Sequence, residues 1–106
     1  MEKFSQDKIN NLPGLNVIFV TGEGCASCVS MVKVVNEVSQ SFKDVNFYIL
    51  DADESYLDFL RSHNVRTIPS ILIIKDNKLI DMCHGYQPEE ILEIWLDMKI
   101  KDDINK

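Results

Sequence analysis

Two cysteines separated by two small residues, in the run Gly24-Cys25-Ala26-Ser27-Cys28, are the residues of this chain best suited to chemistry. A thiolate is a nucleophile and a leaving group, so a thiol pair at this spacing can open and close a disulfide by exchange. The pair follows an apolar run, Leu15 to Val20, and a turn, Thr21-Gly22-Glu23-Gly24. It leads into Cys28, Val32, Val35, Val38 and Phe42, which recur every three to four residues. The run predicts a buried strand and the recurrence predicts the inner stripe of an amphipathic helix. The valines favour strand locally, but a stretch of about 15 residues is too long for a typical strand. Cys25 therefore falls at a helix N-cap, where free N–H groups and the helix dipole favour an anion. Cys28 falls one turn deeper, on the inner stripe, and is expected to be the less exposed sulfur. Glu23 opposes thiolate formation, because a nearby carboxylate disfavours a second negative charge.

Further along, Thr67-Ile68-Pro69-Ser70 places a proline just before the apolar run Ile71 to Ile74. Proline cannot donate to a strand ladder, so Pro69 marks a special turn, for which a cis peptide bond is one solution. Cys83 lies near the end of an edge strand and reads as a packed thiol. His63 falls near a helix end, where the dipole accounts for it. Zinc binding by Cys25, Cys28, Cys83 and His84 is the competing chemistry. It is disfavoured because structural zinc sites generally use two spaced knuckles and this chain has one.

The elements that must hold these residues alternate along the chain. Phe4, Lys8, Ile9 and Leu12 predict a short helix over residues 3–11, closed by Pro13-Gly14. Leu15 to Val20 and Val45 to Leu50 are strands on either side of the cysteine helix. Asp51-Ala52-Asp53-Glu54-Ser55 opens another helix with Leu57, Leu60 and Phe59 facing inward and Asn64 at its end. Ile71 to Ile74 is a strand buried on both faces, joined through Asp76-Asn77 as a tight hairpin to Leu79 to Cys83. Gln87-Pro88-Glu89-Glu90 starts a last helix, with Ile91, Trp95 and Met98 on one face and Leu92 and Leu96 beside them. Early alternation implies parallel pairing through right-handed crossovers, and the hairpin adds an antiparallel edge.

Composition bounds the rest. The 106 residues make one domain, 1–106, and at 45% hydrophobic and 26% charged they can bury a core without staples, leaving the cysteines free for chemistry. A net charge of −6 argues against nucleic acid as the main partner. No apolar leader opens the chain and no run is long enough to span a membrane, so the expectation is a cytoplasmic protein. Three cysteines fit a reactive pair plus a spare better than a disulfide framework.

Over residues 15–100 the chain resembles the thioredoxin family. Cys25 and Cys28 match the family's active-site pair, Ile68-Pro69 resembles its Ile followed by cis-Pro, and Gly85 resembles the glycine of its substrate groove. The resemblance implies a three-layer α/β/α fold with helices on both faces of a mixed sheet. About four strands are expected, because Cys25 comes too early for the family's first strand. It also implies a thiol–disulfide oxidoreductase that reduces protein disulfides through Cys25 and Cys28. Ile68, Pro69 and Gly85 would form the substrate-binding groove. No cofactor beyond the redox-active disulfide is implied. The partners implied are disulfide-bearing proteins and a thioredoxin reductase-type electron donor, with the chain itself a monomer that binds no nucleic acid, membrane or metal.

Several positions depart from the family. Gly24 stands where a Trp is usual, and Ala26-Ser27 where Gly-Pro is usual. Phe19 occupies the place of a buried Asp, and Phe47 is read as standing at its lysine companion. Ser27 restores a backbone donor that proline lacks, which is expected to stabilise the Cys25 thiolate and make the couple more oxidising, about 30 mV for each 1.4 kcal/mol. His84, next to Gly85, is the candidate base in place of the missing Asp. The rival function is a binding module of this fold whose cysteines turn over little. A glutathione-dependent activity lacks an evident basic site.

Overall fold

The structure, a computed structural model, describes residues 1–104. Its framework is a mixed sheet of five strands in the order β1-β3-β2-β4-β5. The strands are β1 (Glu2–Lys3), β2 (Leu15–Thr21), β3 (Asn46–Asp51), β4 (Ser70–Lys75) and β5 (Lys78–His84). Three helices, α1 (Ala26–Ser39), α2 (Leu57–Ser62) and α3 (Glu89–Ile104), complete the α/β/α layers expected from sequence. β2 runs parallel to β3 and antiparallel to β4, and β4 pairs antiparallel with β5.

The two apolar runs became the central strands because their side chains alternate between two dry faces. Val17, Phe19, Ile71 and Ile73 pack under α1 and α3 with Met31, Val35, Val38, Leu92, Leu96 and Ile100. Ile18, Val20, Leu72 and Ile74 pack on the other face with Phe59 and Leu60 of α2 and with Phe4 and Leu12. Asp76 and Asn77 both take positive φ, as a two-residue hairpin turn requires, and Asn64 ends α2 in the left-handed region.

The N-terminal segment departs from the expected helix over 3–11. Glu2 and Lys3 form a fifth strand, parallel to β3 through Glu2–Tyr48 and Lys3–Ile49 pairs, followed by a single 3-10 turn over Gln6–Lys8. Phe4 is the anchor: it is buried against Tyr48, Tyr56 and Phe59, and its N–H donates to the Ile49 carbonyl at 2.8 Å. Burial of that ring fixes the backbone beside β3, which outweighs a weak local helix preference in so short a segment. The sheet thus has five strands rather than four, with the class unchanged.

Two helix faces also differ from expectation. Leu57 of α2 is exposed while Phe59 and Leu60 are buried. In α3 the stripe Leu92, Leu96 and Ile100 faces the core, whereas Ile91 and Met98 face solvent and Trp95 is half-buried. Both stripes have helical spacing, and contact with α1 and β5 selects between them.

Candidate active site

Cys25 occupies the N-cap of α1 with extended backbone, φ −105° and ψ 97°. Gly24 before it has φ +71°, a conformation that favours glycine and turns the chain from β2 into the helix. The Cys25 Sγ accepts a hydrogen bond from the Cys28 N–H at 3.2 Å, so the sulfur takes the place of an oxygen cap. Cys25 is half-exposed and Cys28 is buried on the inner side of α1. The two are joined in a disulfide with Cα atoms 5.2 Å apart.

Ser27 acts differently from the expectation. Its hydroxyl lies 3.6 Å from Cys25 Sγ, and since neither sulfur of a disulfide carries a proton, the hydroxyl is the donor. The sulfur's backbone donor is Cys28, not Ser27. Glu23 is exposed on the same turn.

The Ile68–Pro69 peptide bond is cis. Pro69 is buried, and its carbonyl accepts from the Gly85 N–H at 2.8 Å, which ties the two predicted groove elements together. Gly85 has φ +82°, and a Cβ built on it would meet nothing within 4 Å, so backbone conformation rather than crowding asks for glycine. Among the described residues, neither backbone polar group of Ile68 takes a backbone partner. Ile68 itself reaches the cysteine turn: a Cβ on Gly22 would lie 2.8 Å from Ile68 Cδ1.

His84 does not join the cysteines. It pairs in register with Ser70, whose neighbour two residues on, Leu72, packs on the α2 side. The pleat therefore directs His84 to the face opposite α1. Ser70 gives its one proton to the Thr67 carbonyl at 2.7 Å, so His84 Nδ1 is the donor to Ser70 Oγ at 2.9 Å. A role for His84 as base to Cys28 is at odds with this placement. Cys83, one residue earlier, points to the α3 side, where burial foremost and the nearby Asp81 carboxylate push its thiol pKa up to about 11. The four residues considered for zinc are thus spread over both faces of the sheet. Among the described residues no group of three or more His, Cys, Asp or Glu side chains converges as a metal site.

The interior behind Cys28 is apolar. Phe19 is fully buried, and its partner in the parallel register is Ile49, with Phe47 paired instead to Val17. Ile49, not Phe47, therefore sits beside Phe19; a count along the chain could not supply that register. Among the described residues the only buried polar or charged ones are Asn16 and Ser70, neither of which titrates.

A half-exposed sulfur capping a helix, bonded to a buried sulfur one turn on and set in an α/β/α sheet, defines a dithiol–disulfide oxidoreductase. Comparison with known proteins agrees. The family model described as Thioredoxin matches residues 2–98. A thioredoxin of Mycoplasmopsis pulmonis is 33% identical over 96 residues, spanning 85% of this chain and 86% of that protein. An H-type thioredoxin of Fagopyrum esculentum is 29% identical over 91 residues, spanning 86% of this chain and 76% of that one. The solved structure of a mutant thioredoxin from Halobacterium salinarum superposes with a TM-score of 0.79 over 93% of this chain and 88% of its own, at 17% identity, which speaks for the fold alone. The chain belongs to the thioredoxin family, and its activity is thiol–disulfide exchange.

Sequence reasoning singled out Cys25 and Cys28, which the structure joins, and Pro69 and Gly85, which it ties by a backbone hydrogen bond. It missed the cavity lined by Arg61 and Arg66, whose lining residues all fall between Ala52 and Ile68 but carry no spacing that marks a site.

Proposed function

We propose that this chain reduces disulfides of partner proteins in the cytoplasm, working as a monomer recharged by a reductase-type electron donor. The observation that carries this reading is the unequal burial of the two bonded sulfurs: one can be attacked or attack from solvent, while the other can only reach its neighbour. In the reduced form, Cys25 thiolate attacks one sulfur of a substrate disulfide. A mixed disulfide forms and the first substrate thiolate leaves. Cys28, deprotonated, attacks Cys25 Sγ; the mixed bond breaks and the second substrate thiolate leaves. The substrate gains two electrons, and the Cys25–Cys28 bond present in this structure is the product. A donor dithiol returns the pair by the reverse exchange.

The free backbone groups of Ile68, next to buried Pro69 and Gly85, support docking of an extended substrate segment by strand-like pairing. The Ser27 hydroxyl and Cys28 N–H on Cys25 Sγ support a stabilised thiolate, with exposed Glu23 opposing it. The test is reduction of a protein disulfide with dithiothreitol as electron source, comparing wild type with Cys25→Ser. Wild type is expected to accelerate the reaction and the variant not to. Equal rates would overturn the reading in favour of a binding module.

A further inference from the structure

Beside the redox pair lies a second feature that the exchange chemistry does not use. A cavity of about 580 Å³ is lined by Ala52, Leu57, Leu60, Arg61, Arg66 and Ile68, among others. Ile68 is the residue before the cis-proline, and both Ile68 and Ala52 lie against Gly22: a Cβ there would be 2.8 Å from one and 3.9 Å from the other. The cavity wall thus rests on the turn that carries Cys25. Its floor is aliphatic, and its charged members are the chain's only two arginines. Both are exposed, and among the described residues neither makes an ion pair, although the chain carries 17 acidic residues against 11 basic ones. The ion pairs that do form use lysine. A cationic rim left unpaired on an anionic molecule, over an apolar floor next to a disulfide, is complementary to an acidic, partly apolar segment.

We propose that this cavity receives an acidic stretch of the disulfide-bearing protein substrate, with a carboxylate on the Arg61 and Arg66 guanidinium groups and an aliphatic side chain on the floor. It rests on the reading that protein disulfides are the substrates and adds which of them are preferred: those with carboxylates near the cystine. Guanidinium groups fit carboxylates as planar, two-pronged donors, and charges at a rim act mainly on encounter and orientation. Arg61 and Arg66 touch neither sulfur, so they act on selection and not on the exchange step.

The experiment uses two peptides with the same internal disulfide, flanked on both sides by leucine and either two glutamates or two glutamines. Each is reduced by the full chain with dithiothreitol as recycling reductant, with the uncatalysed rate subtracted. In wild type at low salt, kcat/KM for the glutamate peptide is expected to be roughly threefold to tenfold higher, as suits two solvent-exposed charge pairs. The difference should reside in KM and shrink as salt screens it. In the double variant Arg61→Gln, Arg66→Gln the ratio should fall to about one. Because the ratio is taken within one protein, partial loss of folded variant does not alter it. A wild-type ratio near one, or a ratio that survives both substitutions, overturns the proposal while leaving the exchange reading intact. Failure of wild type to reduce either peptide overturns the substrate reading and this proposal with it.

Discussion

Cys25 and Cys28 differ in one physical respect, on which the roles proposed for them rest: one sulfur caps a helix at the surface and the other is sealed against the core. Two donors converge on the outer sulfur, the Cys28 N–H and the Ser27 hydroxyl. Ser27→Ala removes the second. A hydrogen bond of about 0.5–1 kcal/mol to the thiolate corresponds to roughly 10–20 mV, so the variant is expected to have a more negative reduction potential by that amount. Equilibration against a glutathione or dithiothreitol buffer measures it; an unchanged or more positive potential would remove Ser27 from the tuning of the site. Cys83 behaves in the opposite sense. Its pKa, raised to about 11 chiefly by burial, keeps it a neutral thiol at pH 7. Alkylation of the reduced, folded chain should modify Cys25 first and Cys83 only slowly. The sign for stability follows. A raised folded-state pKa contributes stability that is whole below the unfolded value near 9 and is lost as pH climbs from there toward about 11. Cys83→Ser should flatten part of the decline in melting temperature over that alkaline window.

Strands and turns hold the site by linking its two ends. Away from the cysteines, Asn16 is buried in β2 with its amide shared among the carbonyls of Leu12, Pro13, Gly14 and Ile74, at 3.1 to 3.3 Å. Its own Oδ1 accepts from Asn46 Nδ2 at 3.3 Å. The hairpin turn returns the grip: Asn77 Oδ1 accepts from the Leu12 N–H and Asp76 Oδ1 from the Gly14 N–H, each at 2.8 Å. Asn16→Ala leaves buried carbonyls and Asn46 without their partner and should cost about 1–3 kcal/mol in urea unfolding; a loss within 0.5 kcal/mol or so would show that water replaces the amide. Sequence made the central strands legible because runs such as Val17 to Val20 and Ile71 to Ile74 are apolar on every residue, which only strands covered on both faces tolerate. It made the redox turn legible because cap, glycine and cysteine spacing are all local. The α3 face was not legible, since Ile91–Trp95–Met98 and Leu92–Leu96–Ile100 satisfy the same period and only tertiary contact chooses. Glu2–Lys3 gave no strand signal, being two exposed polar residues held in place by Phe4 next door.

At the scale of the whole molecule, the redox bond spans residues only three apart, inside a turn of helix that the rest of the fold already defines. A loop this short restricts the unfolded chain by about 2 kcal/mol at most in the chain-entropy picture, against nearly 5 for a loop of about 100 residues. The reduced chain should therefore unfold cooperatively, with a midpoint no more than about 10 °C below that of the oxidised chain. Thermal melts with and without excess dithiothreitol check this, and a reduced form lacking a cooperative transition would contradict it. Neither layer of the core depends on the bond, because both are built from aliphatic and aromatic side chains gathered from the full length of the chain.

The half-exposed, half-hidden sulfur pair thus has a meaning beyond its reactivity. The bond that takes up and gives back an electron pair lies within a single turn at one helix tip, so the scaffold is expected to rearrange little between errands. Such a molecule is suited to ferrying reducing equivalents over many cycles, and poorly suited to announcing its redox state through a change of shape.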